Sequence, residues 1–279
     1  MGRPFGAGLF PPESGEKPLQ DLASLWIGKT LGPMERASLG SMTRAGHRVI
    51  LYSYEPLSDV PDDVELRDAA DILPCKRILV YRDKRKPSPA LHANLFRYAL
   101  LQATDAVWVD LDIILLRPLP VRDYLMGFET DASVNNAVLR LPRQSPTLQQ
   151  LSAFSPSTRG VAPHITGARR LKYWLRTLGR GYPIEKWAWG STGPKALTLY
   201  LARNGELRHA MPRSAFYGIG VHDHGQFLEP GRWRLRDFDQ SMRGLHLWGS
   251  RIRDTLRKRY EDRAPEGSLY HEILQTFLK

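Results

Sequence analysis

The chain has 279 residues, of which 42% are hydrophobic, 25% charged and 10% aromatic, and this composition is typical of a globular protein. Its length allows one large α/β domain or two small ones. A single cysteine, Cys75, excludes an intramolecular disulfide framework and a cysteine-rich metal site, and it favours a reducing compartment. The net charge of +11 indicates an anionic partner, such as nucleic acid, phospholipid headgroups or the phosphates of a nucleotide sugar.

The N-terminal residues differ from the rest of the chain. Residues 1–20 are rich in proline and glycine and show no periodicity, so we expect a flexible leader before a folded domain at 21–279. The N-terminus lacks the apolar core of a signal peptide, and there is no run of about 18 apolar residues. These features predict a cytoplasmic protein.

Basic residues cluster at Lys76–Lys86 and at Arg251–Arg259. Neither cluster has the interleaved aromatic residues of a base-stacking surface, so we do not expect nucleic-acid binding. One interpretation of the clusters is a solvated face of the protein. The other is peripheral contact with an anionic inner membrane face.

The first predicted elements form a βαβ unit. Strand Leu22–Lys29 is followed by helix Met34–Ala45, which Gly32-Pro33 opens, and by strand His47–Tyr54. Such a unit predicts a parallel sheet, in which ligands bind at the carboxyl ends of the strands. Trp26 lies near such an end, where its ring would either pack in the core or stack on a base.

The remaining pattern alternates helices and strands. A long segment, Ser155–Gly181, is rich in Arg, Pro and Gly, and we expect an excursion that serves as a mobile lid. The other predicted helices are Val64–Leu73, Ala90–Ala103, Thr147–Phe154, Lys195–Asn204 and Ser268–Leu278, and the other predicted strands are Arg77–Tyr81, Ala106–Pro118, Tyr124–Glu129, Asn135–Leu141 and Gly244–Trp248.

Two carboxylates, Asp110 and Asp112, interrupt the apolar strand Ala106–Pro118. Alternation along a strand would place both on one face, with Cβ atoms roughly 6–7 Å apart. Like charges on an apolar face require a cation or hydrogen-bond donors. One interpretation is a Mg²⁺ or Mn²⁺ site that also holds a phosphate-bearing ligand. The other is a pair of carboxylates at a solvated strand end, salt-bridged to Lys or Arg.

Further polar residues accompany this motif. Asn94 and Arg97 are neighbours on a helix surface, and the arginine is suited either to clamp phosphate oxygens or to form a surface salt bridge. Asn136 follows a second Asn in a predicted strand, which suggests either a binding role or a tight turn. His246 and Trp248 would share one face of the late strand.

The order of these motifs resembles the DXD-containing sugar-binding glycosyltransferases, which include α-1,4-galactosyltransferase-like and α-1,6-mannosyltransferase-like enzymes. The resemblance runs from about Leu25 to Trp248. It is carried by Trp-Ile-Gly, Pro-Ala-Leu-His-Ala-Asn-Leu-Phe-Arg-Tyr, Val-Trp-Val-Asp-Leu-Asp, Asn-Asn-Ala-Val-Leu, Gly-Pro-Lys-Ala-Leu-Thr and His-Leu-Trp, in that order.

The resemblance implies a GT-A fold, a Rossmann-like mixed sheet flanked by helices in a single domain. It implies a UDP- or GDP-hexose donor, a glycan or glycolipid acceptor, Mn²⁺ or Mg²⁺ as cofactor, and retention of the anomeric configuration. We expect a bacterial enzyme of polysaccharide synthesis. The roles implied for single residues are base stacking for Trp26, diphosphate or sugar binding for Arg97, sugar contact for Asn136, ribose and metal-bound water for Asp110, metal ligation for Asp112, and closure of the metal–diphosphate site by His246 and Trp248.

One departure from the family concerns Asn94, where the family usually has an aspartate that contacts the donor. Asn keeps an acceptor, gains two donors and loses the charge. A non-catalytic nucleotide-sugar-binding protein on the same scaffold is therefore an alternative. A haloacid-dehalogenase-type phosphatase is another, but its motif would place Thr or Val where Ile114 stands.

Overall fold

A computed structural model describes residues 19–82 and 87–278. The strands are β1 (Leu22–Trp26), β2 (Val49–Ser53), β3 (Val64–Asp68), β4 (Val107–Val109), β5 (Ile113–Leu115), β6 (Leu125–Thr130), β7 (Ser133–Arg140), β8 (Arg159–Gly160), β9 (Tyr182–Pro183) and β10 (Gly244–His246). The helices are α1 (Pro33–Arg44), α2 (Ala90–Ala103), α3 (Pro146–Ser152), α4 (Gly167–Arg176), α5 (Pro194–Arg203), α6 (Gly249–Arg259) and α7 (Leu269–Phe277). All but the last two positions of the predicted leader lie outside the described residues, as do positions 83–86 of the first basic cluster.

The predicted fold class, a mixed α/β sheet flanked by helices, is confirmed. Six strands form one sheet in the order β3-β2-β1-β4-β7-β6. The predicted βαβ unit is present, because β1 and β2 pair in parallel with Leu22 opposite Val49 and Trp26 opposite Ser53. Strands β6 and β7 are antiparallel. The domain boundary predicted at residue 20 stays a prediction.

The chain divides into two compact units. Unit 1 comprises the described residues up to Arg67, together with Val109–Arg122 and the residues from Pro212 onward. Unit 2 comprises Asp68–Trp108 and Asp123–Met211.

Within unit 1, α1 supports the short antiparallel pair of β5 and β10. Ser38 donates its hydroxyl to the Ile113 carbonyl at 2.6 Å, and Ser41 accepts the Leu115 amide at 2.9 Å. These buried hydroxyls satisfy backbone groups of β5 that have no partner in β10. On another side of α1, Gly40 lies so close to α7 that an added Cβ would stand 2.3 Å from the Phe277 carbonyl oxygen.

Unit 2 has its own apolar core beneath α2. Leu79, Tyr81, Leu91, Leu95 and Trp187 are buried together. The Trp187 indole donates to backbone carbonyls at 3.2 Å, so this tryptophan is a core residue. The predicted strand Arg77–Tyr81 is wrong. Only Tyr81 there forms an isolated bridge, with Ser88.

The prediction of a helix over Val64–Leu73 is also wrong. Residues 64–68 form strand β3, and a single 3₁₀ turn at Ala69–Asp71 follows it. Glu65 pairs with Arg67 at 2.6 Å and with Arg48 at 2.7 Å. Side chains two positions apart share a face in a strand but not in a helix, so these pairs fit the extended conformation. Pairing within the sheet overrides the helical propensity of Glu-Leu-Arg.

Candidate functional site

The two aspartates of the Asp-x-Asp motif do not lie on one strand. Strand β4 ends at Val109, and Leu111 and Asp112 form a turn in which the Ile113 amide donates to the Asp110 carbonyl at 3.1 Å. The chain then continues into β5, which pairs with β10 in a different sheet. The prediction of one strand over 106–118 with both carboxylates on one face is therefore wrong, because a turn interrupts the alternation.

This turn directs Asp112 toward the end of β10. Its Oδ1 lies 3.2 Å from Nε2 of His246, and its Oδ2 accepts the Gly249 amide at 2.8 Å. The Asp112 carbonyl accepts the Leu247 amide at 2.8 Å. Gly249 is the first residue of α6, so the carboxylate satisfies one of the free amides at a helix N-terminus, where negative charge is favoured.

The electrostatic surroundings of Asp112 keep it ionised. Burial raises the pKa of the carboxyl, but the charge and hydrogen bond of His246, the Gly249 amide and the charge of Arg253 outweigh burial. Together they lower the pKa of Asp112 to about 2. An ionised carboxylate in this position suits both an imidazolium partner and a hard cation.

Aromatic rings hold the imidazole of His246 in place. The ring centroid of Trp248 lies 4.1 Å from that of His246, and the centroid of Tyr217 lies 5.5 Å from it. The Trp248 indole donates to the Ile219 carbonyl at 2.9 Å. We call Asp112, His246, Trp248, Tyr217 and Gly249 the carboxylate–histidine cluster.

The contact between Trp248 and His246 does not come from the alternation of side chains along a strand. Strand β10 ends at His246, and Trp248 has a left-handed backbone, with φ 55° and ψ 53°, at the start of α6. The prediction that both side chains share a strand face is therefore wrong, although the two rings are in contact. A left-handed non-glycine residue is strained, which requires support from its surroundings.

Arg253 on α6 lies beside this cluster, whereas the sequence analysis placed it only in the basic cluster Arg251–Arg259. Its Nη1 pairs at 2.5 Å with Oε1 of Glu35, which is buried. An added Cβ on Gly249 would lie 2.9 Å from Met34 Sδ, 3.1 Å from Arg253 Nη2 and 3.2 Å from Asp112 Cβ. A side chain at this position would therefore displace the Met34 and Arg253 side chains and crowd Asp112. The buried Ile252 and Leu256, four positions apart, were the available signal for this helix.

Trp26 also belongs to unit 1 and is the last residue of β1. Its indole Nε1 is buried and has no hydrogen-bond partner among the described residues. Because β1 and β2 are parallel, Trp26 stands at the carboxyl end of the pair. A buried indole N–H usually finds a partner, so this donor is suited to a ligand acceptor.

Unit 2 brings three of the predicted residues into one network. Asn94 Oδ1 accepts Arg97 Nη1 at 2.6 Å and Asn136 Nδ2 at 2.9 Å. All three side chains are buried. The Arg97 guanidinium also lies over the Trp108 ring, 4.6 Å from its centroid. Asn136 lies within β7, so a tight turn at this position is excluded.

The same network includes Thr192, which precedes α5. Asn94 Nδ2 donates to Thr192 Oγ1 at 3.1 Å, and that oxygen lies 2.6 Å from the Tyr81 hydroxyl. Tyr81 OH also accepts the Thr192 amide, at 3.0 Å. We call Asn94, Arg97, Asn136, Thr192 and Tyr81 the amide–guanidinium cluster. Sequence reasoning missed Thr192 and Tyr81, for which no local signal exists.

The orientation of the Asn94 amide follows from its neighbours. Arg97 and Asn136 both present N–H donors, so the carbonyl oxygen of Asn94 must face them. Its nitrogen then faces Thr192. Gly193 packs directly against this amide, since an added Cβ there would lie 2.9 Å from Asn94 Nδ2. Every polar atom of Asn94 is thus engaged within the protein.

The predicted metal ligands were Asp110, Asp112 and His246. Among residues 19–82 and 87–278, no group of three His, Cys, Asp or Glu side chains is arranged to hold a metal ion. The pair of Asp112 and His246 is nevertheless compatible with one. Two ligand atoms that bind a metal at about 2.1 Å and at right angles stand about 3 Å apart. Carboxylate and imidazole donors together suit Mn²⁺.

No family model and no curated protein matches the chain. Among solved structures, the chain is similar to the apo structure of the WbbM bifunctional glycosyltransferase, with 10% identity and a TM-score of 0.35. The match covers 96% of this chain and 50% of that one, so the chain spans about half the length of that protein. No helix in the described part of the chain is long and apolar enough to cross a bilayer.

Proposed function

We propose that this protein is a metal-dependent, retaining glycosyltransferase that moves a hexose from a UDP- or GDP-sugar to a hydroxyl of a glycan or glycolipid. One observation carries the proposal. The Asp-x-Asp motif and the late His-Leu-Trp motif are far apart in sequence, yet Asp112 and His246 are in contact at 3.2 Å. The motif order that the chain shares with DXD glycosyltransferases assigns these two residues to one site.

Asp112 and His246 would hold Mn²⁺ or Mg²⁺ in this proposal, and Asp110 would contact the ribose and a metal-bound water. The cation supplies Lewis-acid neutralisation of the leaving diphosphate. Asp112 presents its carboxylate in ionised form, and the aromatic contacts fix the His246 ring. Arg253 adds a cation beside Asp112, suited to an anionic leaving group.

The amide–guanidinium cluster would serve the donor through Arg97 and Asn136. The Arg97 guanidinium is held by Asn94 on one side and by the Trp108 ring below, so little conformational entropy is lost when it binds an anion. Both polar side-chain atoms of Asn94 bond to protein neighbours. We therefore propose that Asn94 positions Arg97 and does not itself contact the donor. The usual aspartate would do the same with added charge.

Trp26 would stack the face of its ring on the nucleobase. The acceptor hydroxyl attacks the anomeric carbon on the face from which the diphosphate leaves. The new C–O bond forms as the bond to the diphosphate breaks, and the proton passes to a phosphate oxygen. A product with inverted anomeric configuration, measured by NMR, would contradict this pathway.

The deciding experiment is a thermal-shift panel of UDP-, GDP- and CMP-sugars with and without Mn²⁺. A donor at 100 times its Kd stabilises the folded state by about 2.7 kcal/mol. We expect one nucleotide class to raise Tm only with Mn²⁺, and Asp112→Asn to lose this shift. Asp131→Asn, an exposed carboxylate in the β6–β7 turn, is the matched control and should behave as wild type.

Four outcomes contradict the proposal in different ways. Equal shifts with and without Mn²⁺ exclude the metal site, and no shift with any donor excludes a transferase. A donor that binds but is never turned over, with any glycan or water as acceptor, identifies the non-catalytic alternative. Fluoroaluminate binding without nucleotide would instead favour the phosphatase.

Cytoplasmic localisation is part of the proposal, and cell fractionation tests it.

A further inference from the structure

An exposed amphipathic helix, α4, lies in the segment for which we expected an irregular lid. Its Leu171, Trp174 and Leu175 are 56%, 52% and 57% exposed, and Leu178 just beyond it is 89% exposed. Leu171, Trp174 and Leu175 follow the spacing i, i+3 and i+4 and form one apolar stripe, and Leu178 follows the helix end with a left-handed backbone, φ 49°. No residue of α4 is buried. An exposed stripe of large apolar side chains is typical of a surface that binds a partner or a membrane.

The other side of α4 attaches the helix to unit 2. Tyr173 packs against the core of this unit and meets Tyr182 edge to face, with centroids 5.8 Å apart. Positions two apart differ by about 200° around a helix, so Tyr173 lies opposite Leu171 and Leu175. Thr177 accepts the Gly181 amide at 2.9 Å and fixes the end of the helix. The apolar stripe therefore points away from the core.

The charge around the stripe has one sign only. The segment 159–184 contains no Asp or Glu, and its basic residues are all exposed: Arg159, Arg169, Arg170, Lys172, Arg176 and Arg180. Lys172 and Arg170 lie on the two flanks of the stripe. The surface is thus apolar at its centre and cationic at its rim.

We propose that α4 docks onto the surface of an anionic phospholipid bilayer. Leucine and tryptophan would enter the boundary between headgroups and acyl chains while lysine and arginine contact lipid phosphates. A second copy of this chain fits poorly, because two such surfaces would bring Arg170 and Lys172 of each copy together with no carboxylate of segment 159–184 between them. The inference goes beyond the proposed function and does not depend on it.

Cosedimentation with vesicles tests this inference. We expect the full chain to bind vesicles of phosphatidylcholine mixed with phosphatidylglycerol and to bind pure phosphatidylcholine far more weakly. Trp174→Ser with Leu175→Ser should lower the partition coefficient by at least about tenfold, and Trp174→Phe should preserve it. Arg170→Gln with Lys172→Gln should lower it by roughly 30-fold.

A matched control separates the contribution of α4 to vesicle binding from that of the protein's overall positive charge. Arg251→Gln with Arg257→Gln removes the same charge from the exposed side of α6 and should leave most of the binding intact. An equal loss in both charge variants would overturn the assignment to α4. So would unchanged binding of the Trp174 and Leu175 double variant. All these side chains are exposed, so circular dichroism should show unchanged folding.

Analytical ultracentrifugation without lipid tests whether a second copy of this chain, and not a bilayer, binds α4. A dimer that Trp174→Ser with Leu175→Ser dissociates, together with no vesicle binding, would show that α4 is a protein interface. Vesicle binding by a monomer supports the inference. Because these assays use no nucleotide sugar, their failure is separate from failure of the proposed transferase.

Discussion

The carboxylate of Asp112 contacts the imidazole of His246 at 3.2 Å while its second oxygen accepts the first amide of α6 at 2.8 Å. The turn after β4, the end of β10 and the start of α6 therefore meet at one charged group. Its ionised form is favoured by a histidine, a helix N-terminus and Arg253 together. A substitution of Asp112 therefore tests both its proposed role in metal binding and its contribution to the stability of the fold.

Asp112→Asn should separate these two roles. The amide oxygen can still accept from Gly249, and its nitrogen can donate to a neutral His246, so we expect the free energy of unfolding in urea to fall by only about 1 kcal/mol. Turnover of the nucleotide sugar with Mn²⁺ should fall at least about 100-fold, because the charge is lost. A large loss of stability with turnover unchanged would assign Asp112 a structural role alone.

Asn94→Asp tests the departure from the family pattern. The carboxylate can accept from Arg97 and Asn136, and the Thr192 hydroxyl can rotate to donate to it, so urea unfolding should change by less than about 1 kcal/mol. Asn94→Leu removes the amide oxygen that accepts from the buried Arg97 guanidinium at 2.6 Å and should cost about 3 kcal/mol. Equal losses in the two variants would contradict the hydrogen-bond assignment.

Gly193→Ala should destabilise the amide–guanidinium cluster. The new methyl group would meet Asn94 at 2.9 Å and Asn136 at 3.3 Å, and both amides are buried. Overpacking of this kind costs about 1–3 kcal/mol. Gly225→Ala is the control, because nothing lies within 4 Å of its added Cβ. Thermal unfolding of both variants measures the difference, and equal Tm values would contradict the close contact.

The stability of the protein should fall in mild acid because of His47. Its Nδ1 donates to the Gln20 carbonyl and its Nε2 accepts the Leu119 amide, both at 2.9 Å, so the ring is neutral. Burial lowers the pKa of His47 below 6.5, against the opposing effects of Gln20 and Asp21.

The sign of this effect follows from proton uptake. Below about pH 6.5 the unfolded chain binds a proton at His47 that the folded protein excludes, so the free energy of unfolding decreases until the lower folded pKa is reached. Urea unfolding at several pH values measures this slope. His47→Gln should reduce the slope, whereas His222→Gln, at an exposed position, should not. Identical slopes in all three proteins would refute the assignment.

Elements with strong local signals were predicted well. Helix α2 has the predicted bounds, Ala90–Ala103, and α5 begins at Pro194, next to its predicted start. Hydrophobic periodicity and a proline in the first turn are local properties. The exposed helix α4 escaped prediction although its stripe has helical spacing, since the surrounding Arg, Pro and Gly residues favoured a loop.

The sequence by itself determined the βαβ start, the mixed α/β class and the residue types suited to a charged ligand. Tertiary structure alone decided that a turn separates Asp110 from Asp112, and that Asp112 contacts His246 and α6. It also decided that Asn94 is saturated by Arg97, Asn136 and Thr192. Periodicity reports which side of an element is apolar, whereas contacts between distant residues depend on how the elements pack, which no local pattern encodes.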